Sequence, residues 1–214
     1  MKAMILAAGR GERMRPLTDT LPKPLLAARG RPLIEYHFDA LRRAGITEVV
    51  INLGWLGERL REHVGDGSRY GLAVAYSEEG YPPLETGGGI QRALSLLGSA
   101  PFWVLNGDVY CDYPVSERSL PHGTLAHLVL VPNPPQHPQG DFALAHGLVS
   151  NAAVDRHTYS GLAVIDPRLL AASVPGRFPL APFLRDAAAR GAVTGELYAG
   201  SWSDVGTPER LAAL

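Results

Sequence analysis

A glycine-rich, basic stretch near the N-terminus contains the residue types that bind phosphate groups. The segment AAGRGER at 7–13 follows an apolar run at 4–6 that is typical of a buried strand. Glycines at a strand exit allow a tight turn and leave backbone N–H groups uncovered, because they have no Cβ. Lys23 follows between two prolines, and arginine and lysine side chains bind phosphate oxygens. The stretch therefore predicts a polyphosphate site, with a surface turn carrying solvated arginines as the alternative.

Two common phosphate-binding motifs are absent from this stretch. A P-loop ends in Gly-Lys-Ser or Gly-Lys-Thr, and no such sequence follows the glycines. The dinucleotide-binding fingerprint requires a third glycine at the position that Met14 occupies. A phosphate site here must therefore be of another kind.

The placement of lysine in this chain is unusual. Of 20 basic residues, only Lys2 and Lys23 are lysines, and the rest are arginines. A lysine ammonium is a compact charge on a flexible stem, whereas an arginine guanidinium is a wide planar fork. We therefore predict that Lys23 contacts phosphate, with chance placement as the alternative.

Two aspartates follow apolar or turn-like sequences further along the chain. A predicted strand over 102–109 ends in Asn-Gly-Asp, and the carboxyl end of a strand faces the same crevice as the first loop. Asp108 is thus a candidate ligand for Mg²⁺, which proteins hold by one or two carboxylates together with substrate phosphates. Capping of the next segment by Asp108 is the structural alternative. Asp204 is predicted to lie in a turn before a closing helix.

Three consecutive glycines mark a second possible ligand site. The segment LETGGG at 84–89 precedes a predicted helix over 90–97. Consecutive glycines at a helix N-terminus cost conformational entropy, which favours close approach of a ligand to the backbone. A flexible hinge is the alternative.

The elements that must position these residues alternate between strand and helix patterns. Strands are predicted at 4–6, 48–53, 72–76, 102–109, 126–131, 159–165 and 193–198. Helices are predicted at 32–41, 55–64, 90–97 and 180–190, with a closing helix after the turn at 202–209. The alternation predicts an α/β fold with right-handed crossovers and a mostly parallel sheet.

A proline-rich loop separates two of the predicted strands. The segment 132–140 contains four prolines and no helix or strand pattern, and such loops often shape a substrate pocket. His137 and His146 are candidate ligands in this region, but we expect them to be solvated loop residues.

Composition excludes several classes of protein. With 214 residues, 46% hydrophobic and 19% charged, the chain is expected to form a single domain over 1–214. A net charge of −1 provides no field for nucleic acid or an anionic membrane, so neither partner is expected. The single cysteine, Cys111, excludes an internal disulfide. The N-terminal apolar run is too short for a signal peptide and no run reaches the length of a membrane span, which predicts a cytoplasmic protein.

Together these segments resemble the sugar-1-phosphate nucleotidyltransferases. The resemblance is carried by four motifs, Gly9-x-Gly11-x-Arg13-Met14-x-Pro16-Leu17-Thr18, Pro22-Lys23-Pro24, Asn106-Gly107-Asp108 and Trp202-x-Asp204-Val205-Gly206-Thr207. It implies a Rossmann-like, three-layer α/β/α fold with a mostly parallel central mixed sheet. It also implies a reaction in which a sugar 1-phosphate attacks the α-phosphorus of a nucleoside triphosphate, with Mg²⁺ as cofactor. The protein is then expected to be a monomer or a small homo-oligomer.

The resemblance implies a role for each matching position. The implied catalytic residues are Arg13, Lys23 and Asp108. The implied nucleotide-binding residues are Ala8, Gly9, Gly11, Glu12, Arg13, Lys23, Thr86 and Gly87. The implied sugar-phosphate residues are Asn106, Asp141 and Gly161, and residues 132–180 are implied to contribute a sugar-binding subregion. The implied metal ligands are Asp108 and Asp204.

Within this family, the chain is most similar to members that transfer a uridylyl group from UTP to N-acetylmuramate 1-phosphate in peptidoglycan recycling. This similarity is carried by the short chain length, the segment at 84–89 and Gly-Asp-Phe at 140–142. Alternatives are a mannose- or glucose-1-phosphate nucleotidyltransferase and a non-catalytic nucleotide-sugar binding protein. One position departs from the pattern: Pro179 stands where similar enzymes tend to carry a lysine that contacts the sugar phosphate. Arg177 or Arg156 is the candidate replacement.

Overall fold

The computed structural model describes residues 1–214 and contains thirteen strands and five α-helices. The strands are β1 (Lys2–Leu6), β2 (Ala27–Ala28), β3 (Arg31–Pro32), β4 (Glu48–Leu53), β5 (Ala73–Glu78), β6 (Phe102–Asn106), β7 (Val109–Cys111), β8 (Ala126–Val131), β9 (Phe142–Ala145), β10 (Leu148–Ser150), β11 (Arg156–Ile165), β12 (Val193–Leu197) and β13 (Trp202–Asp204). The helices are α1 (Leu33–Arg43), α2 (Gly57–Val64), α3 (Glu85–Leu97), α4 (Ala181–Ala189) and α5 (Pro208–Ala212).

Nine strands form one mixed sheet in the order β5-β4-β1-β6-β11-β8-β12-β10-β9. The four strands β5, β4, β1 and β6 are parallel to one another, as are β8 and β12. Strand β11 runs antiparallel to both of its neighbours, β6 and β8. The prediction of an α/β fold built on a mixed sheet is confirmed, and β1 lies between β4 and β6 with the first loop at its carboxyl end.

Helices cover both faces of the sheet and produce the three-layer arrangement. On one face, α1 and α2 pack against the alternate sheet residues that include Ala3 and Ile5. On the other face, α3 and α4 pack against the intervening residues, such as Met4. The apolar residues of α1 recur at helical spacing (Ile34, Phe38 and Leu41), so one stripe of the helix is buried.

Several element boundaries differ from the sequence prediction. Helix α3 begins at Glu85 rather than after the glycines, so Gly87, Gly88 and Gly89 lie inside its first two turns. The predicted strand over 102–109 is divided at Gly107 and Asp108 into β6 and β7. Asp204 ends strand β13 instead of lying in a turn. The β9–β10 hairpin was not predicted, because its strands are only four and three residues long.

None of the five helices combines the length and the apolar content that crossing a membrane requires.

Candidate active site

A cleft of about 680 Å³ lies at the carboxyl ends of strands β1, β4, β5 and β6. Its position is the one at which open α/β sheets bind ligands. Most of the predicted site residues line it, namely Ala8, Gly9, Gly11, Glu12, Arg13, Lys23, Thr86, Asn106 and Asp108. Four others do not form part of its wall, namely Gly87, Asp141, Gly161 and Asp204.

The glycine-rich loop is held in a fixed conformation by its own neighbours. Gly11 has a positive φ of 60°, and a Cβ at this position would lie 2.9 Å from Cγ2 of Thr18. The Thr18 hydroxyl donates a hydrogen bond to the Gly11 carbonyl at 2.8 Å. The indole Nε1 of Trp55 donates to the Thr18 carbonyl at 2.9 Å. Gly9 differs from Gly11, because a Cβ there would meet nothing within 4 Å and would project into open space.

The two glycines are therefore expected to respond differently to substitution. Gly11→Ala forces a left-handed backbone and a contact with Thr18, so it should lower the free energy of unfolding by about 1–3 kcal/mol. Gly9→Ala should leave stability within about 0.5 kcal/mol of wild type but weaken binding of a nucleoside triphosphate, because the methyl group covers the loop backbone. Denaturant unfolding and calorimetric titration measure the two effects. Equal loss of stability in both variants would contradict this assignment.

Lys23 and Asp108 meet at the centre of the cleft. The Lys23 Nζ lies 2.6 Å from the Asp108 Oδ2; the lysine side chain is 9% exposed and the aspartate side chain 41%. Gly107 allows the turn before Asp108 to lie against the end of β1, because a Cβ there would lie 2.8 Å from the Leu6 carbonyl oxygen. The Asp108 carboxylate accepts its hydrogen bond from Lys23 rather than from the following backbone, so it does not act as a cap.

Asp204 lies next to Asp108 through the backbone, but its side chain has other partners. Strand β13 pairs with β7 so that Asp204 is opposite Val109, and the Val205 N–H donates to the Asp108 carbonyl at 3.0 Å. The Asp204 carboxylate accepts from Gln136 at 2.9 Å and forms an ion pair with Arg210. The two predicted metal ligands are therefore neighbours in the fold, because Asp108 immediately precedes β7 and Asp204 ends β13, which pairs with β7.

The donors at this position fit a magnesium ion shared with a substrate. No group of three or more His, Cys, Asp or Glu side chains in the structure is arranged to enclose a metal ion. Mg²⁺ does not require such a group, because it keeps several waters and is held by one or two carboxylates plus phosphate oxygens. Oδ1 of Asp108 has no protein partner, and Asp204 lies opposite Val109, the residue that follows Asp108. The site therefore offers the two neighbouring carboxylates that such an ion uses.

The glycine run of α3 is explained by packing within the protein. A Cβ on Gly87 would lie 2.5 Å from the Phe178 ring, and one on Gly88 would overlap the Gly176 carbonyl. The backbones of the two segments are also paired, since the Gly88 N–H donates to the Phe178 carbonyl at 3.0 Å. These contacts account for the absence of side chains at Gly87 and Gly88 by packing alone, and the predicted backbone contact of Gly87 with a nucleotide stays a prediction. Thr86 remains on the cleft wall, where its hydroxyl accepts from the Leu180 N–H at 2.9 Å.

Two cleft residues were missed by the sequence analysis. Asn52 and Glu79 are almost completely buried, with 3% and 7% of their surface exposed. Asn52 accepts from the Ala7 N–H at 2.6 Å and donates to one Glu79 oxygen, and the other Glu79 oxygen accepts from the Leu84 N–H at 2.7 Å. This Asn52–Glu79 network joins the glycine-rich loop to the start of α3. The polar Asn52 within the apolar run at 49–53 was the only available signal.

His37 on α1 contacts the backbone of the Asn-Gly-Asp segment at 106–108. Its Nε2 lies 3.0 Å from the Asn106 carbonyl, and the ring is 2% exposed. Burial lowers the pKa of His37 from 6.5 to about 4, although its contact with the Asn106 carbonyl and the charge of Asp108 oppose that shift. The imidazole is therefore neutral near pH 7 and donates its Nε2 proton to the carbonyl.

The His37 pKa gives a pH dependence of stability with a defined sign. The unfolded chain takes up a proton near pH 6.5, whereas the folded protein does so only near pH 4. The free energy of unfolding should therefore fall as pH decreases from 6.5 to 4, by up to about 1.4 kcal/mol per pH unit and about 3 kcal/mol in total. His37→Gln should remove this slope, whereas His122→Gln, at an exposed position, should retain it. Denaturant unfolding at several pH values measures both slopes, and a slope unchanged in His37→Gln would contradict the prediction.

Gly161 and Asp141 lie beyond the cleft wall for different reasons. Gly161, with φ +84°, sits at an irregularity of β11, and a Cβ there would lie 2.7 Å from the Asn106 side-chain nitrogen. Gly161 thus supports Asn106 directly. The Asp141 carboxylate accepts from the Tyr159 N–H at 2.8 Å and lies 3.1 Å from His137. His137 has Asp141 as a partner, and with 42% of its side chain exposed it is also a solvated loop residue.

Comparison with known proteins agrees with this geometry. Residues 2–145 match the model of the family described as nucleotidyl transferase. The chain is 49% identical to N-acetylmuramate alpha-1-phosphate uridylyltransferase of Neisseria meningitidis serogroup B, over 99% of this chain and 95% of that protein. It is 35% identical to the protein of the same name from Caulobacter vibrioides, over 99% and 94% of the two chains.

The fold is also found among solved structures. The structure of UDP-glucose pyrophosphorylase complexed with UDP-glucose superimposes with a TM-score of 0.76 at 18% identity, covering 100% of this chain and 97% of that one. The likeness at this level of identity concerns the fold alone. With a family model matching 2–145 and relatives similar over almost their full length, the chain belongs to the nucleotidyl transferase family.

Proposed function

We propose that this nucleotidyltransferase transfers a uridylyl group from UTP to N-acetylmuramate 1-phosphate, yielding UDP-N-acetylmuramate and pyrophosphate. The observation that carries the transfer reaction is the ion pair between the buried Lys23 and the solvent-accessible Asp108, beside the open face of Gly9. The choice of nucleotide and sugar rests on the 49% identical Neisseria protein, whose name states this activity. The corresponding place in metabolism is peptidoglycan recycling in the cytoplasm, where UTP is made.

The reaction requires charge stabilisation more than covalent help from the protein. A phosphate oxygen of the sugar 1-phosphate attacks the α-phosphorus, and the bond from that phosphorus to the bridging oxygen of the β-phosphate breaks, releasing pyrophosphate. The attacking oxygen is already ionised near pH 7, so no general base is required. Arg13 and Lys23 are assigned to offset the negative charge that builds up around the α-phosphorus.

A magnesium ion fits beside these cations. Asp108 and Asp204 would hold it, and it would neutralise phosphate charge and orient the triphosphate. Lys23 keeps the Asp108 carboxylate in a fixed position, since its ammonium lies 2.6 Å away and has little freedom to move. The backbone N–H groups of Gly11, Glu12 and Arg13 are assigned to the triphosphate, and Ala8 and Thr86 to the nucleoside.

The sugar phosphate is assigned to the side of the cleft at β6 and β11. Asn106 on the cleft wall, Gly161 beneath it and Asp141 in the loop are assigned to the sugar phosphate, and residues 132–180 contribute the sugar-binding subregion. Of the two candidate replacements for the missing lysine, Arg177 is favoured because it lines the cleft, where it pairs with Glu85 at 2.9 Å. Arg156 instead donates to the Asp141 carbonyl.

A substrate panel tests the proposal. Pyrophosphate release is measured with UTP, GTP, CTP and dTTP, each paired with the 1-phosphates of N-acetylmuramate, N-acetylglucosamine, glucose and mannose. We expect UTP with N-acetylmuramate 1-phosphate to give the highest kcat/KM. Faster turnover with mannose or glucose 1-phosphate would assign the chain to a different sugar. Binding of UDP-sugar without turnover at saturating Mg²⁺ would identify a binding protein.

A further inference from the structure

Arg10 is a cleft residue to which the proposed reaction assigns no role. It stands between Gly9 and Gly11 in the glycine-rich loop and lines the cleft. Its guanidinium carbon lies 5.0 Å from the centre of the Trp55 ring and 5.9 Å from the centre of the Tyr81 ring. Both distances are within the range of a cation–π contact. Trp55 is itself fixed by its hydrogen bond to the Thr18 carbonyl, so the guanidinium is held in a defined place.

The partners of Arg10 leave much of its hydrogen-bonding capacity unused. Its Nε is buried and has no hydrogen-bond partner. Its ion pair is with Glu12 in the same loop, at 3.3 Å, and that glutamate side chain is 65% exposed. An exposed carboxylate is a weak partner, worth about 0–1 kcal/mol, because water competes for both charges. A phosphate dianion offers more acceptor oxygens and a higher charge, and the planar guanidinium binds phosphate through two parallel hydrogen bonds.

The position of Arg10 in the sheet indicates which phosphates it meets. Trp55 follows β4 and Tyr81 follows β5, whereas Lys23 and Asp108 lie on the other side of the loop, next to β6. In the sheet order β5-β4-β1-β6, the loop after β1 therefore has a cation on each side. Arg10 lies toward β4 and β5, and Lys23 lies toward β6. If the α-phosphate lies at Lys23, where transfer occurs, the other cationic position is available for the rest of the triphosphate. The uracil base has no charge with which to compete for a guanidinium.

We propose that Arg10, clamped on Trp55 beside Tyr81, binds the β- and γ-phosphates of the nucleotide and thus the pyrophosphate leaving group. This inference rests on the proposed nucleotidyl transfer and deepens it. In this arrangement Arg10 exchanges the Glu12 carboxylate for phosphate oxygens when the triphosphate enters. It then gives the site a preference for nucleoside triphosphates over monophosphates, separate from recognition of the base and sugar.

The test compares nucleotides that differ only in their phosphates. Calorimetric titration of wild type, Arg10→Gln and Arg10→Lys with UTP, UMP and inorganic pyrophosphate, each with Mg²⁺, gives the three dissociation constants. Arg15→Gln is the matched control, because Arg15 lies in the same loop but pairs with Asp19 on the outside. We expect Arg10→Gln to weaken the binding of UTP and of pyrophosphate by about 10- to 100-fold, because a charge-assisted contact is lost. The binding of UMP should weaken by less than about 2-fold. Arg10→Lys should recover part of the loss.

Each other outcome overturns the inference. Equal weakening of UMP and UTP would place Arg10 at the base or the α-phosphate. Unchanged UTP and pyrophosphate binding in Arg10→Gln would leave Arg10 without a ligand. Thermal unfolding of each variant checks that the protein is folded. Failure of the proposed function is seen separately, since it appears as absence of turnover in the wild type whatever the Arg10 variants bind.

Discussion

Asp108→Asn is expected to lower kcat by on the order of 10³-fold, the size of effect seen when one preorganised electrostatic contact is removed from a transition state. The amide retains the size of the carboxylate and accepts a hydrogen bond from Lys23. It loses the charge that pairs with the ammonium at 2.6 Å and that would hold Mg²⁺. The measurement is steady-state pyrophosphate release at saturating Mg²⁺, together with the thermal unfolding midpoint.

The stability of this variant is part of the prediction. Lys23 is 9% exposed, so an uncompensated ammonium there costs free energy and should lower Tm by a few degrees, about 4 °C for each 1 kcal/mol. Asp186→Asn is the matched control, because Asp186 is 69% exposed on α4 and pairs only with Arg190. A kcat in Asp108→Asn within about threefold of wild type would remove Asp108 from the catalytic and metal assignments.

Lys23→Arg is expected to lower kcat by about 10²-fold although the positive charge is retained. The lysine stem fills the space beside Gly11, where a glycine Cβ would lie 3.4 Å from the Lys23 Cβ and 3.5 Å from its Cδ. The wider guanidinium cannot occupy that channel and still place a single donor on Asp108. Lys23→Met, which keeps the length and removes the charge, should reduce kcat at least as strongly.

Lys2→Arg is the natural control, since Lys2 is the other lysine of the chain. Its side chain is 35% exposed and pairs with Glu48 at 3.2 Å, far from the cleft in the sheet. We expect this variant to have wild-type kcat and KM. If Lys23→Arg also turned over at the wild-type rate, the site would accept either cation and Lys23 would not act as a point charge.

The sequence predicted best where the pattern was long and locally determined. Strand β8 over 126–131 and strand β4 over 48–53 have the predicted bounds, because each is a continuous apolar run between clear turns. The meeting of the first loop with Asp108 was also predicted. Both follow parallel, neighbouring strands of one sheet, and the carboxyl ends of such strands share an edge.

The glycine run at 87–89 shows why part of the site was beyond sequence reasoning. Its glycines accommodate Phe178, Gly176 and Glu79, which are distant in sequence or belong to other elements. A glycine that avoids a ligand and one that avoids a packed side chain have the same appearance in the sequence. The partners of Asp204 were hidden for a similar reason, since Gln136 approaches it from a loop that carries no periodic pattern.

The Asn52–Glu79 network has a consequence for how homologous sequences diverge. A Cβ on Gly89 would overlap Oε1 of Glu79 and lie 3.0 Å from the Asn52 amide nitrogen. A residue larger than glycine at 89 therefore requires the Glu79 carboxylate to move out of its hydrogen bonds with Asn52 and Leu84. We expect positions 52, 79 and 89 to be exchanged together among relatives, as one inherited unit, although they lie on β4, directly after β5 and on α3. A single replacement at one of them would be retained only after a compensating change at another.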